Sequence, residues 1–215
     1  MGRAVLIILI LLSTPSMADQ TFSPEAIAGW QHHSFAGKTD YELVTVDGRE
    51  AVRATCKAGT ASGLYLEESI NLDETPIIEW RWRVESVYSG IDERSRDGDD
   101  FPARIYAVHE PTWLRWKTRA LNYVWASTEP EGSSWTNPFQ SRARMIAVDS
   151  GKAGGENQWQ TVTRNLRADF KEQHGEVPER ITALAIMTDC DNHKGQTRAW
   201  YGRIQLRSAG NRVAD

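Results

Sequence analysis

Cysteine is nearly absent, with two residues in 215. That excludes a small fold stapled by several disulfides and a Cys-rich zinc domain. Excess positive charge is absent as well. Lys+Arg number 25 against 29 Asp+Glu, the formal net charge is −4 and the pI is near 5.8, so no nucleic-acid partner is expected. Catalytic signatures are missing too. There is no Gly-x-Ser-x-Gly elbow, no His-Glu-x-x-His, no phosphate-cradling loop and no dinucleotide fingerprint. His32, His33, His109, His174 and His193 are scattered, and Gly154-Gly155 reads as a loop. The charged fraction of 25% is ordinary for a folded chain, so long disorder is not expected.

Long apolar runs are missing. The run Ala4–Leu12 is about half the length of a membrane-spanning helix. It follows Arg3 and is broken by Ser13, Thr14 and Pro15. Ser16-Met17-Ala18 then offers a small-x-small cleavage site. Residues 1–18 are therefore expected to be a cleaved signal peptide, with 19–215 a single β-sandwich domain. No twin-Arg pair and no Cys near the cleavage site are present, so the expectation is Sec export without a lipid anchor. The alternative is an uncleaved anchor.

What is plentiful is Trp, nine residues, and alternation with a period of two. Tyr41–Val46 and Glu50–Cys56 flank Asp47-Gly48, a hairpin turn signal. Gly63–Ile70, Ile77–Val84, Ala103–His109, Leu121–Ala126, Arg144–Val148, Gln158–Arg164, Ile181–Thr188 and Arg198–Leu206 also read as strands. Ten short strands separated by turn residues predict an all-β sandwich or jelly roll with short peripheral helices. Leu166–His174 is the helix candidate, stopped by Gly175 and Pro178. Pro111–Arg119 reads as a turn of helix or an irregular loop.

The strand faces suggest where a ligand would sit. Trp80, Trp82 and Val84 alternate with Glu79, Arg81 and Arg83, so the Trp pair is assigned to the core and the Arg pair to the other face. Ile105 and Ala107 alternate with Arg104 and Tyr106, and Tyr123 and Trp125 share one face of the following strand. Arg side chains with aromatic rings on a sheet surface suit a ligand platform. An Arg–Asp ion-pair ladder has the same sequence pattern.

Two acidic loops stand near strand ends. Asp97-Gly98-Asp99-Asp100 follows a charged stretch, and Asp189, Asp191 and Asn192 close the strand Ile181–Thr188. Their oxygens suit Ca²⁺, Arg, sugar hydroxyls or simple Asx turns. The spacing of an EF-hand loop is missing. Cys56 and Cys190 lie at strand ends and are compatible with a disulfide or with two separate thiols. Trp113, Leu114 and Trp116 would either form an exposed lip or fold back over a sandwich edge.

Several segments carry a resemblance. Trp159-Gln-Thr-Val-Thr163 followed by Leu166–Phe170, and Ala199-Trp-Tyr-Gly-Arg-Ile-Gln-Leu206, resemble the closing strands of jelly-roll carbohydrate-binding modules. Ala61-Ser-Gly-Leu64, Glu79-Trp-Arg-Trp-Arg83, Gly98-Asp-Asp100, Leu121-Asn-Tyr-Val-Trp125, Arg164-Asn165 with Asp169-Phe170, and Met187-Thr-Asp-Cys-Asp-Asn192 together resemble the domain-of-unknown-function 3047 family. The resemblance runs from about Tyr41 to Leu206. It implies a galactose-binding-like sandwich and a Gram-negative envelope location, and it implies no catalytic residue. Cys190 and Arg203 depart from the family pattern, which has Thr and Asp there.

The resulting expectation is a periplasmic, non-catalytic sandwich that binds a glycan or another polar envelope ligand. Arg81, Arg83, Asp99 and Asp100 would make polar contacts, Tyr123 or Trp125 would stack, and Asp189, Asp191 and Asn192 would line the rim. One alternative is a carbohydrate-active hydrolase or lyase pairing Asp99 or Asp100 with Asp189 or Asp191. Another is an envelope interaction module using Trp113 and Trp116. No cofactor is expected beyond Ca²⁺ at the acidic loops.

Overall fold

The computed structural model describes residues 19–57, 59–111, 117–151 and 158–210. The signal-peptide segment and the Trp113-Leu114-Trp116 stretch lie outside them. Thirteen strands and two helices are described: β1 (Gln20–Phe22), α1 (Pro24–Ala28), β2 (Gln31–Ala36), β3 (Asp40–Val46), β4 (Arg49–Lys57), β5 (Ala61–Asn71), β6 (Ile77–Val84), β7 (Ala103–His109), β8 (Arg119–Ala126), β9 (Ser134–Thr136), β10 (Ala143–Ser150), β11 (Gln160–Asn165), α2 (Leu166–His174), β12 (Arg180–Asp189) and β13 (Gln196–Arg207). All ten strands expected from alternation are present. Short β1, β2 and β9 and helix α1 were not expected from the sequence. No described helix is long and apolar enough to cross a membrane.

The strands make two sheets. A six-stranded sheet has the order β11-β6-β13-β4-β3, with β1 also paired to β13. A seven-stranded sheet has the order β2-β5-β12-β7-β8-β10-β9. All pairings are antiparallel except β8 with β10. At the β3–β4 hairpin Asp47 has φ 53° and Gly48 φ 72°, the pair of positive φ values that an Asp-Gly turn supplies. Helix α2 has the bounds expected from sequence. The Asn165 side chain caps it by accepting from Ala168 N, and Gly175 ends it.

The core is the slab between the sheets, and its centre is aromatic. Trp80 and Trp82 of β6 meet at 5.3 Å edge to face, Trp80 lies 5.3 Å from Tyr123, and Trp82 lies 5.9 Å from Trp125. Tyr123 and Trp125 of β8 are therefore core residues and not a stacking platform. Their strand carries apolar side chains on both faces, which is why alternation alone did not tell inside from outside. Val124 and Ala126 point outward, where Phe101, Trp135, Met145 and Ala147 cover them in a second apolar cluster.

Candidate functional site

The acidic loops do come together, at one end of the seven-stranded sheet. β12 ends in Asp189, and the residues after it carry Asp191 and Asn192. The loop from Ile91 to Asp100 reaches the same end. Glu93, fully buried, anchors that loop by accepting from the backbone N–H groups of Ser127, Thr128 and Glu129 at 2.6, 2.9 and 2.8 Å. Cys56 and Cys190 are joined by a disulfide, with Cα atoms 6.1 Å apart. It packs against Tyr88, whose hydroxyl donates to the Asp189 carbonyl at 2.6 Å.

The organiser of this end is Arg104 of β7, which was on the predicted outward face but not among the expected site residues. It is buried. Its Nε donates to Asp189 Oδ1 at 2.9 Å and its NH2 to Asp189 Oδ2. NH1 lies 3.6 Å from Asp99 Oδ2. Asn137 Nδ2 also donates to Asp99, at 3.1 and 3.2 Å. Burial pushes the Asp99 and Asp189 carboxyls above the usual carboxylate range, and Arg104 opposes the shift. Asp100 accepts from Asn192 N and Nδ2 at 3.2 Å and from His193 N at 2.5 Å.

These contacts bear on two of the expected roles. One carboxylate oxygen each from Asp100, Asp189 and Asp191 lies within 4.8 Å of the others. A calcium ion takes six to eight oxygen ligands. Here Arg104 and backbone N–H groups already hold the oxygens of Asp189 and Asp100, so the residues fit a structural ion-pair network better than a Ca²⁺ cage. The same neutralisation removes Asp99 and Asp189 as a hydrolase acid and base, since neither is free to face a substrate.

Arg81 and Arg83 do not join this cluster. They stand on the outer face of the six-stranded sheet, as alternation required, and their aromatic neighbours are Trp159 and Trp200. Arg81 Cζ lies 5.4 Å from the Trp159 ring centre and Arg83 Cζ 4.3 Å from that of Trp200.

The outer face of the seven-stranded sheet offers a different arrangement. One register row crosses every strand: Gln31, Tyr65, Ala185, Tyr106, Asn122, Met145 and Trp135. Ala185 thus sits between Tyr65 and Tyr106 on neighbouring strands. Strands are about 4.8 Å apart, so the two rings rise about 10 Å from each other with a methyl group between them. Tyr106 is fixed from below, its hydroxyl accepting from Arg104 NH1 at 3.3 Å. Tyr65 donates to Gln31 Oε1 at 2.8 Å, which leaves the Gln31 amide NH₂ unused by that bond. His33 packs 4.7 Å from Phe35 and 6.1 Å from Tyr65, and Phe35 is 70% exposed. Ala183, beside Ala185 on the same face, extends the low floor. The side-chain oxygen of Asn122 is buried without a hydrogen-bond partner among the described residues. The alternation of Arg104 and Tyr106 with Ile105 and Ala107 was the sequence signal for this face. No local signal placed Tyr65 beside Ala185.

Residues 28–205 match the model of a family described as a protein of unknown function, DUF3047. The chain belongs to the DUF3047 family. No curated protein matches this DUF3047 chain. Among solved structures it is similar to the family 30 carbohydrate-binding module of a cellulosomal cellulase of Clostridium thermocellum. That match has 14% identity and a TM-score of 0.51, and covers 91% of this chain and 100% of the module. It is also similar to a family 11 carbohydrate-binding module of a cellulosomal cellulase of the same organism. Identity there is 9% and the TM-score 0.50, over 92% of this chain and 98% of the module. At these identities the likeness establishes the jelly-roll fold for this DUF3047 member, and the function has to come from its own surface.

Proposed function

We propose that this chain is an exported, periplasmic, single-domain protein that binds a glycan on the outer face of the seven-stranded sheet and performs no chemistry on it. The observation that carries the reading is Ala185 held between Tyr65 and Tyr106. Two amphipathic rings flank a slot whose floor is a methyl group, and Gln31 offers an amide to hydroxyl groups beside it. Aromatic faces pack on the C–H surfaces of sugars while their polar tips hydrogen-bond. The resemblance in fold to carbohydrate-binding modules supports this reading. The disulfide and the N-terminal leader support export through Sec, because disulfides persist in oxidising compartments.

The test is retention in gels containing neutral and acidic polysaccharides, backed by a thermal-shift screen of peptidoglycan fragments, oligosaccharides, Ca²⁺ and EDTA. A ligand of the native state raises the midpoint, by about 2.7 kcal/mol of stability at a hundredfold excess over its Kd. Tyr65→Ala and Tyr106→Ala should each weaken binding about tenfold or more. Ala185→Met, which fills the slot while keeping both rings, should do the same. No glycan binding by the wild type, or equal binding by Ala185→Met, would sink the proposal.

A further inference from the structure

We infer that the outer face of the six-stranded sheet is a second binding surface, for an anionic glycan bearing carboxylate or sulfate groups, with Arg81 at its centre and Arg49, Arg83 and Arg203 around it. This inference stands apart from the proposed glycan slot between Tyr65 and Tyr106, which lies on the other sheet.

The geometry begins with register. Arg53 of β4, Trp200 of β13 and Arg83 of β6 form one row across three neighbouring strands. The guanidinium of Arg83 lies over Trp200, that of Arg81 over Trp159. The chain makes room for this layer with Gly202. A Cβ there would lie 3.2 Å from the Arg81 Cβ and 3.7 Å from the Trp159 ring. A guanidinium resting on a ring keeps its N–H edge for a bidentate acceptor, and carboxylate and sulfate oxygens match that fork.

The charges do not close among themselves. Glu42 engages Arg53 at 2.5 Å and Asp47 engages Arg83 at 3.3 Å. Glu79 is shared between Arg203 at 3.9 Å and Arg207 at 3.7 Å. Among the described residues neither Arg49 nor Arg81 has a carboxylate partner. Burial and the like charges of Arg49 and Arg203 pull the Arg81 pKa down from its ordinary value. Two further donors on this face, Arg83 Nε and Trp159 Nε1, are buried without an acceptor among the described residues. In a chain of net charge −4 this is a local concentration of cations, two of them resting on aromatic rings, to which an added anion is drawn.

The test uses the full oxidised chain and three probes: polygalacturonate, fully methyl-esterified polygalacturonate and heparin. Titration calorimetry at low and high salt should show binding of at least one of the two polyanions, weakening as salt rises. The methyl ester, which keeps the backbone and loses the charge, should bind about tenfold more weakly or not at all. Arg81→Ala should cost about tenfold in polyanion affinity, and so should the exposed and structurally undemanding Arg49→Ala combined with Arg203→Ala. Tyr106→Ala should leave polyanion affinity unchanged, which separates this surface from the slot on the seven-stranded sheet. Preference for polygalacturonate assigns a uronate ligand, and preference for heparin a sulfated one. Binding of neither polyanion, equal affinity for the methyl ester, or unchanged affinity in both Arg variants overturns the inference.

Discussion

Trp82 Nε1 donates to Asp149 Oδ2 at 2.6 Å, and this bond ties the six-stranded sheet to the seven-stranded sheet across the space between them. A register irregularity between Ala147 and Asp149 turns the carboxyl inward. The bond closes the indole N–H, but it leaves a carboxyl in an apolar slab. Burial pushes the Asp149 pKa up to about 6, with the Trp82 bond opposing the shift.

That carboxyl should make stability fall with pH. The native state holds the proton above the unfolded pKa of about 3.9, so it binds more protons than the unfolded chain between about pH 4 and 6. Stability from this group is fully present below about pH 4 and is lost as pH rises through about 6. Asp149→Asn keeps an acceptor for Trp82 and removes the charge. Its chemical-denaturation free energy should exceed that of the wild type by about 1–3 kcal/mol at pH 7 and converge with it near pH 4. A variant less stable at pH 7 would show that the carboxylate contributes more than its burial costs.

The Arg104–Asp189 pair should be costly to break from one side only. Arg104→Met leaves two buried carboxyls, Asp99 and Asp189, without their cation. Urea unfolding at pH 7 should show a loss of about 3–5 kcal/mol. Adding Asp189→Asn should recover part of that loss, because the second substitution removes a stranded charge. A strictly additive cycle would mean that the two residues do not act as a pair.

The Cys56–Cys190 bridge spans a sequence separation of 134 residues. A loop of that length gives about 5 kcal/mol in the chain-entropy model, and measured disulfides usually deliver less. Dithiothreitol, or Cys56→Ser with Cys190→Ser, should lower the melting temperature by about 5–15 °C. An unchanged melting curve under reducing conditions would show that the bridge is not formed in the folded protein.

Gly98 holds the acidic loop against its own chain. A Cβ at that position would lie 2.3 Å from the Asp92 carbonyl oxygen, a backbone atom that cannot swing aside. Gly98→Ala should therefore destabilise by about 2–4 kcal/mol and displace Asp99 and Asp100 from Arg104 and Asn192. Faster tryptic cleavage at Arg94 or Arg96 would report the loosened loop, and wild-type cleavage rates would contradict the close approach.

The sequence by itself determined the strands, the all-β class, the Asp47-Gly48 hairpin, helix α2 and the opposite faces of Trp80/Trp82 and Arg81/Arg83. These follow from local physics: alternation, turn residues and caps act over a few positions. Alternation failed at β8. Tyr123 and Trp125 were separated from Asn122 and Val124, but both sets are buried, because Phe101 and Trp135 arrive from elsewhere to cover the outer face. Strands β1 and β9, three residues each, are too short to show a period, and β2 is exposed at five of its six positions, so no apolar alternation marks it. Only the tertiary structure could bring Asp99 and Asp189, 90 residues apart along the chain, onto one guanidinium, or set Tyr65 and Tyr106 on either side of Ala185. Those meetings are decided by which strands pair and in what register, and the free energy that selects the register is burial of the Trp-rich slab between the sheets.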